Sequence, residues 1–127
     1  MTTLYRGMKD DGHGQPLCGT SARTLGVRIE GDILIQEDGT VEPSTGGMSV
    51  AIDDPRHLPP HRRPPAHGGW GPDRVWRIEV DDLPSSLVFR PDPEDPLRHG
   101  FVEPMETMML ADYQDALAAS RAMWSRT

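Results

Sequence analysis

The chain has 127 residues, 13 of them glycine and 13 proline, and 35% are apolar; this favours short elements joined by ordered turns and extended loops over a helical bundle. A formal charge of −7 excludes attraction to nucleic acid or anionic lipid over the whole surface, while leaving room for a local basic patch that holds a phosphate. A chain of this length buries roughly two-thirds of the surface it exposes when unfolded, so one domain spanning 1–127 is expected.

Residues 1–11 lack the continuous apolar stretch of a signal peptide. No apolar run approaches the roughly 20 residues that a membrane span requires. The expectation is a cytoplasmic protein with no membrane partner; export by a signal-independent machine would leave no mark in such a sequence. Residues 4–8 read as a first strand, and 9–16 as a polar turn. Thr20 or Ser21 is placed to cap a brief helical turn through Leu25. Residues 27–29 and 33–35 are β-branched runs split by Glu30-Gly31-Asp32, a hairpin signal. Asp38-Gly39 marks a second tight turn, and residues 48–52 a further strand. Across 53–72, prolines 55, 59, 60, 64, 65 and 72 forbid a regular helix or a central strand. A loop this long is usually functional or mobile. Residues 75–80 alternate cleanly and form the best predicted strand, with 87–89 as its expected partner. Residues 91–96 form a rigid acidic turn and 100–104 a last short strand. A helix is expected over 110–124, with Leu110, Tyr113, Leu117 and Trp124 on one face. The sum is an α+β fold of short mixed or mostly antiparallel strands with a C-terminal helix.

Several residue groups invite a functional reading beside a plainer one. Arg6, next to Gly7 on the first strand, offers a planar fork for a phosphate or a ribose; an edge-strand ion pair is the plainer reading. Ser44, Thr45 and Ser49 surround the Gly46-Gly47 pair, which lets the backbone turn and lets another group approach. Serine and threonine also occupy turns for local bonding reasons alone. Glu103 and Glu106 flank Pro104-Met105. Either is a carboxylate for a ribosyl cation or a ribose hydroxyl; the plainer reading is two surface acids ahead of a helix. His57, His61 and His67 match no compact metal-ligand spacing, and prolines lie between them. No metal site is therefore expected. The basic segment 56–63 is a candidate phosphate holder, or it docks on the acidic turn at 92–95. Trp70 is a candidate base-stacking residue or a lid. Lys9 is the only lysine, so nearly all positive charge is arginine, the better bidentate phosphate ligand. Cys18 stands alone and makes no internal disulfide.

Taken together, Leu4-Tyr5-Arg6, then Pro43-Ser44-Thr45-Gly46-Gly47-Met48-Ser49-Val50, then the run from His99 through Glu103 and Pro104 to Met108, resembles a known set. It looks like the small bacterial toxins with an ADP-ribosyltransferase-like fold that type VI secretion systems deliver. The order and rough spacing agree over most of the chain; the middle loop does not match. The resemblance implies NAD as substrate, with Arg6 on its phosphates or ribose. It implies Thr45, Gly46, Gly47 and Ser49 on the nicotinamide-ribose side and Glu103 as the catalytic acid, with Glu106 as the alternative. It further implies a protein or nucleic-acid target and an immunity protein. The second motif departs from the family's Ser-Thr-Ser strand, and a clear glutamate is not kept by all such toxins. A non-catalytic interaction module on the same fold, using the Pro/Arg-rich loop 53–72, is the competing reading.

Overall fold

Alternating side chains build the central strands, and register then decides which of them share a face. In the computed structural model, which describes residues 2–29 and 31–127, β1 (Thr3–Met8) pairs along its whole length with β5 (Arg74–Glu79), from Thr3 opposite Glu79 to Met8 opposite Arg74. Cross-strand partners project to the same side of a sheet, so Leu4 and Arg6 share a face with Ile78 and Trp76. On its other edge β1 meets β4 (Met48–Ile52), which pairs with β7 (His99–Pro104), which pairs with the edge strand β6 (Leu87–Pro91). With β9 (Ser125–Arg126) beyond β5, the six-stranded order is β6-β7-β4-β1-β5-β9. A second sheet, ordered β2-β3-β8, contains β2 (Ile33–Ile35), β3 (Thr40–Gly46) and β8 (Met108–Met109). Every pairing between these strands is antiparallel.

One helix, α1 (Leu110–Ala119), buries Tyr113 and Leu117. They join Leu4, Met8, Met48, Val50, Trp76 and Val102 in the main core. Each such side chain contributes about 1.5–3 kcal/mol when fully buried, so this layer carries most of the packing free energy. The Tyr113 hydroxyl donates to Val102 O and accepts from Met48 N at 3.1 Å. Met48 and Val102 are register partners on β4 and β7, so the phenol bridges the two strands there. Burial pushes its ionisation above the ordinary tyrosine range. The opposite face of the sheet carries a smaller cluster in which Leu58 packs on Ala51 and Val75 beside Tyr5.

That second cluster is where the proline-rich segment docks. It forms three single 3-10 turns, Pro55–His57, Pro60–Arg62 and Pro65–His67, each opening on a proline. A proline at the first position of such a turn gives up a donor that would be unpaired anyway. The prolines that exclude a regular helix therefore start short turns instead.

The coarse expectation, an α+β fold of mostly antiparallel strands with a C-terminal helix, matches the architecture. Several finer expectations do not. Residues 27–29 form no strand. The Gln114 side chain takes the pairing positions, accepting from Val27 N at 3.1 Å, and Ile33–Ile35 pairs with β3 instead. Glu30, the first residue of the expected Glu30-Gly31-Asp32 turn, lies outside the described residues. The Asp38-Gly39 turn does form, between β2 and β3: Gly39 has a φ of 84°, and Asp38 accepts from Thr40 N at 3.0 Å. Thr20 and Ser21 cap no helix. Ser21 to Thr24 is a single turn in which the Thr24 hydroxyl accepts from Ser21 N at 3.1 Å. Strand β6 pairs with β7 rather than with β5, because a 3-10 turn at Val80–Asp82 and the residues after it carry the chain to the far edge. The expected helix over 110–124 stops at Ala119. The Ser120 hydroxyl donates back to Leu117 O at 2.7 Å and accepts from Trp124 Nε1 at 3.0 Å. Such side-chain bonds compete with helix continuation, and the chain leaves to pair β9 with Trp76 and Arg77.

Candidate functional site

The central sheet forks. β1 and β4 are registered only at Leu4–Ile52 and Tyr5–Ala51, whereas β1 stays paired with β5 to its end. Beyond Tyr5 the next residue on β1 is Arg6, and its guanidinium fills the opening. Nη1 donates to Ser49 O on β4 at 2.8 Å. Nε and Nη2 donate to Thr24 O at 3.1 and 2.9 Å, and Nη2 also reaches Gly26 O at 3.3 Å and Ser21 O at 3.4 Å. Arg6 thus fastens the 21–26 segment to the sheet entirely through carbonyls.

Arg6 is 5% exposed. Among the described residues no carboxylate lies within ion-pairing distance of it. Burial pulls its ionisation from the ordinary arginine range down to about 10; Asp32 opposes this, while Arg62 pulls the same way. A buried charge without a direct carboxylate partner is costly; carbonyl dipoles solvate it, and Asp32, the nearest opposing charge named for it, offsets the burial only in part. The Arg6 cation is therefore held in the fork at a cost that an anion beside it would offset.

A cavity of about 200 Å³ opens from this fork, and Arg6, Arg28, Arg62, His57, His99 and Ser49 are on its wall. Asp32 is also on that wall. Its carboxylate accepts from Arg28 Nη2 at 2.8 Å and from Arg28 N at 2.7 Å. The 3-10 turns supply the roof, because the Arg62 carbonyl presses so close to β1 that a Cβ at Gly7 would lie 2.7 Å from it. Only glycine admits that approach. His57 donates from Nδ1 to Ile52 O at 2.7 Å, and His99 donates from Nδ1 to Asp92 Oδ2 at 2.8 Å. Each imidazole is oriented by its Nδ1 bond and keeps Nε2 as the second functional nitrogen. Three arginines, two histidines and one carboxylate make this a cationic chamber in an acidic protein.

Of the residues singled out in the sequence, Arg6 and Ser49 meet here. Glu103 does not line the cavity. It is 2% exposed, accepts from Arg90 Nε at 2.9 Å through Oε2 and from Ser44 N at 3.3 Å through Oε1. Thr45, Gly46 and Gly47 also lie off the cavity wall. Thr45 donates from its hydroxyl to Glu42 O at 2.8 Å, a local turn bond. A Cβ at Gly46 would sit 2.2 Å from Asp32 O, and one at Gly47 2.7 Å from Val102 O. Gly46 permits close approach of the backbone leading into β2, and Gly47 permits close approach of β7. Glu106 is exposed. The histidines of the proline-rich segment diverge: His67 faces the Thr127 hydroxyl at 3.2 Å while His57 turns to the sheet. Trp70 is 72% exposed. Arg28, Asp32 and His99 are wall residues to which the sequence assigned no site role, His99 entering only as the first residue of the late motif. The only local signal for Arg28 is the four-residue spacing to Asp32, which allows their fork-like pairing.

The fold and cavity define a small antiparallel α+β protein with a buried-arginine, cation-lined chamber at a fork in its main sheet. No protein-family model, curated protein or solved structure matches the chain. No helix is long and apolar enough to cross a membrane among the described residues.

Proposed function

We propose that this protein binds NAD or a related nucleotide, seating the pyrophosphate in the fork between β1 and β4. One observation carries the reading: the buried Arg6 cation has no carboxylate partner among the described residues, and it stands on a cavity wall with Arg28 and Arg62. Guanidinium forks match phosphate oxygens bidentately. The remaining Nη1 hydrogen of Arg6 and the fork of Arg28, once released from Asp32, are the donors that meet it. The chamber, at about 200 Å³, is smaller than the roughly 300–1,000 Å³ of pockets that enclose a whole ligand. It takes the phosphates and an adjoining ribose, and the bases extend over the rim.

The sequence resemblance to ADP-ribosyltransferase-like toxins points to the same ligand and names the finer fold class and a toxin role as part of this proposal. Glu103 is left out of the chemistry, because its carboxylate is committed to Arg90 and to Ser44 N away from the cavity. Arg6 holds the site together and supplies charge from beneath; Arg28 and Arg62 make the outer contacts. Calorimetric titration with NAD tests the reading. Saturable heat is expected, displaced by ADP-ribose and weakened by salt. Absence of heat at millimolar NAD removes it and favours the interaction-module alternative.

A further inference from the structure

The cavity contains a group that phosphate binding does not use. His99 lies on its wall, and its Nδ1 hydrogen is donated to Asp92 Oδ2 at 2.8 Å. The Asp92 carboxylate is itself fixed: it accepts from Glu94 N at 2.9 Å. That backbone bond, followed by the His99 bond, holds its ionisation below the usual carboxylate range. The imidazole is held from a second side, with its ring edge-on to Phe101 at a centroid distance of 5.0 Å. Its side chain remains 34% exposed. A carboxylate-backed imidazole with one nitrogen locked and the other accessible is the arrangement that accepts a proton during attack by an oxygen nucleophile. His57, the other imidazole on the wall, is backed by the neutral Ile52 carbonyl, which fixes its ring but cannot stabilise a charge on it in the same way.

We propose that His99 is the general base of this cavity, oriented by Asp92, and that it serves cleavage of the ribosyl–nicotinamide bond. The proposal rests on the NAD reading above. In the step, the bond between the ribose anomeric carbon and the nicotinamide nitrogen breaks. Its electron pair leaves with the ring, which departs neutral because that nitrogen was cationic. The oxygen of water, or of a target hydroxyl, forms the new bond to the anomeric carbon, and His99 Nε2 takes the proton that this oxygen sheds. Nothing is oxidised or reduced. With Glu103 committed elsewhere, the cationic wall holds the pyrophosphate and the dyad handles the proton.

The test uses the full chain, with NAD as substrate and water as acceptor, and measures both NAD affinity by calorimetry and nicotinamide release. In His99→Gln, release is expected to fall by about 10²–10⁴-fold, the usual contribution of a general base, while affinity changes less than threefold. In His99→Ala, added imidazole is expected to restore release, which a merely structural role of the ring would not permit. Equal release by wild type and His99→Gln would overturn the proposal, as would NAD binding by wild type with no release, or failure of imidazole to rescue a folded His99→Ala variant. A wild type that does not bind NAD removes the ligand reading itself, a different result from binding without cleavage.

Discussion

Arg6→Lys lowers stability by about 2–4 kcal/mol, and urea unfolding with an unchanged m-value shows the loss as a shifted midpoint. The residue keeps its charge in this variant but loses the planar fork. The guanidinium reaches carbonyls of Thr24, Gly26, Ser21 and Ser49 from three nitrogens. An ammonium has three donors on one atom and cannot span the 21–26 segment and β4 together. Buried carbonyls left without donors cost about 1–3 kcal/mol each, partly recovered by relaxation. The charge itself leaves a separate signature. Folding lowers the Arg6 pKa from its ordinary value to about 10, so between about 10 and that ordinary value the unfolded chain holds a proton that the folded state has shed. Stability therefore rises with pH in that window, and a neutral Arg6→Met variant lacks this contribution. An Arg6→Lys variant as stable as wild type would show that the carbonyl bonds do not fasten the fork.

The double variant Arg28→Ala/Arg62→Ala loses NAD affinity by at least about a hundredfold, while its unfolding midpoint stays close to that of wild type. A charge-assisted hydrogen bond contributes about 1.5–3 kcal/mol, which is more than tenfold in affinity per arginine. The Arg28 substitution also leaves Asp32 on the cavity wall without its side-chain partner, and that carboxylate then repels the phosphates. Stability is little affected because the Arg28 side chain is 56% exposed and Asp32, although 10% exposed, keeps the bond from Arg28 N at 2.7 Å, so the lost side-chain pair costs about 1 kcal/mol. The Arg62 carbonyl, which packs against Gly7, is backbone and survives the substitution. Calorimetry with NAD, paired with urea unfolding, measures both quantities. Affinity within threefold of wild type would move the pyrophosphate out of the fork.

The strands at Thr3–Met8, Met48–Ile52, Arg74–Glu79 and His99–Pro104 were legible because each carries a short apolar or alternating run between turn residues. The 27–29 run misleads because Gln114, 87 residues away, supplies the pairing that a strand would have supplied. The helix end misleads because the stop comes from Ser120 and Trp124 side chains rather than from a glycine or proline. At the site, Arg6 was legible as an arginine against a glycine, and Gly7 proves to be where the Arg62 carbonyl crosses the strand. The 56–63 segment was legible as a basic patch, and His57 and Arg62 from it reach the wall. Glu103 was legible as a late-strand carboxylate, and the family resemblance named it the acid, whereas its engagement by Arg90 is set by the register of β6 on β7. Arg28 and His99 meet on the wall of the cavity beside which β1 and β4 part after two registered pairs, and no local pattern in either strand encodes that parting.

The buried Arg6 charge, which has no directly paired carboxylate among the described residues, would mark an anion seat in the fork. A crystal structure with saturating ADP-ribose tests it most directly. The pyrophosphate is expected between Arg28 and Arg62, over the Arg6 guanidinium, with the Arg28–Asp32 pair opened. ADP-ribose bound elsewhere on the molecule, with the fork empty and that pair intact, would contradict it.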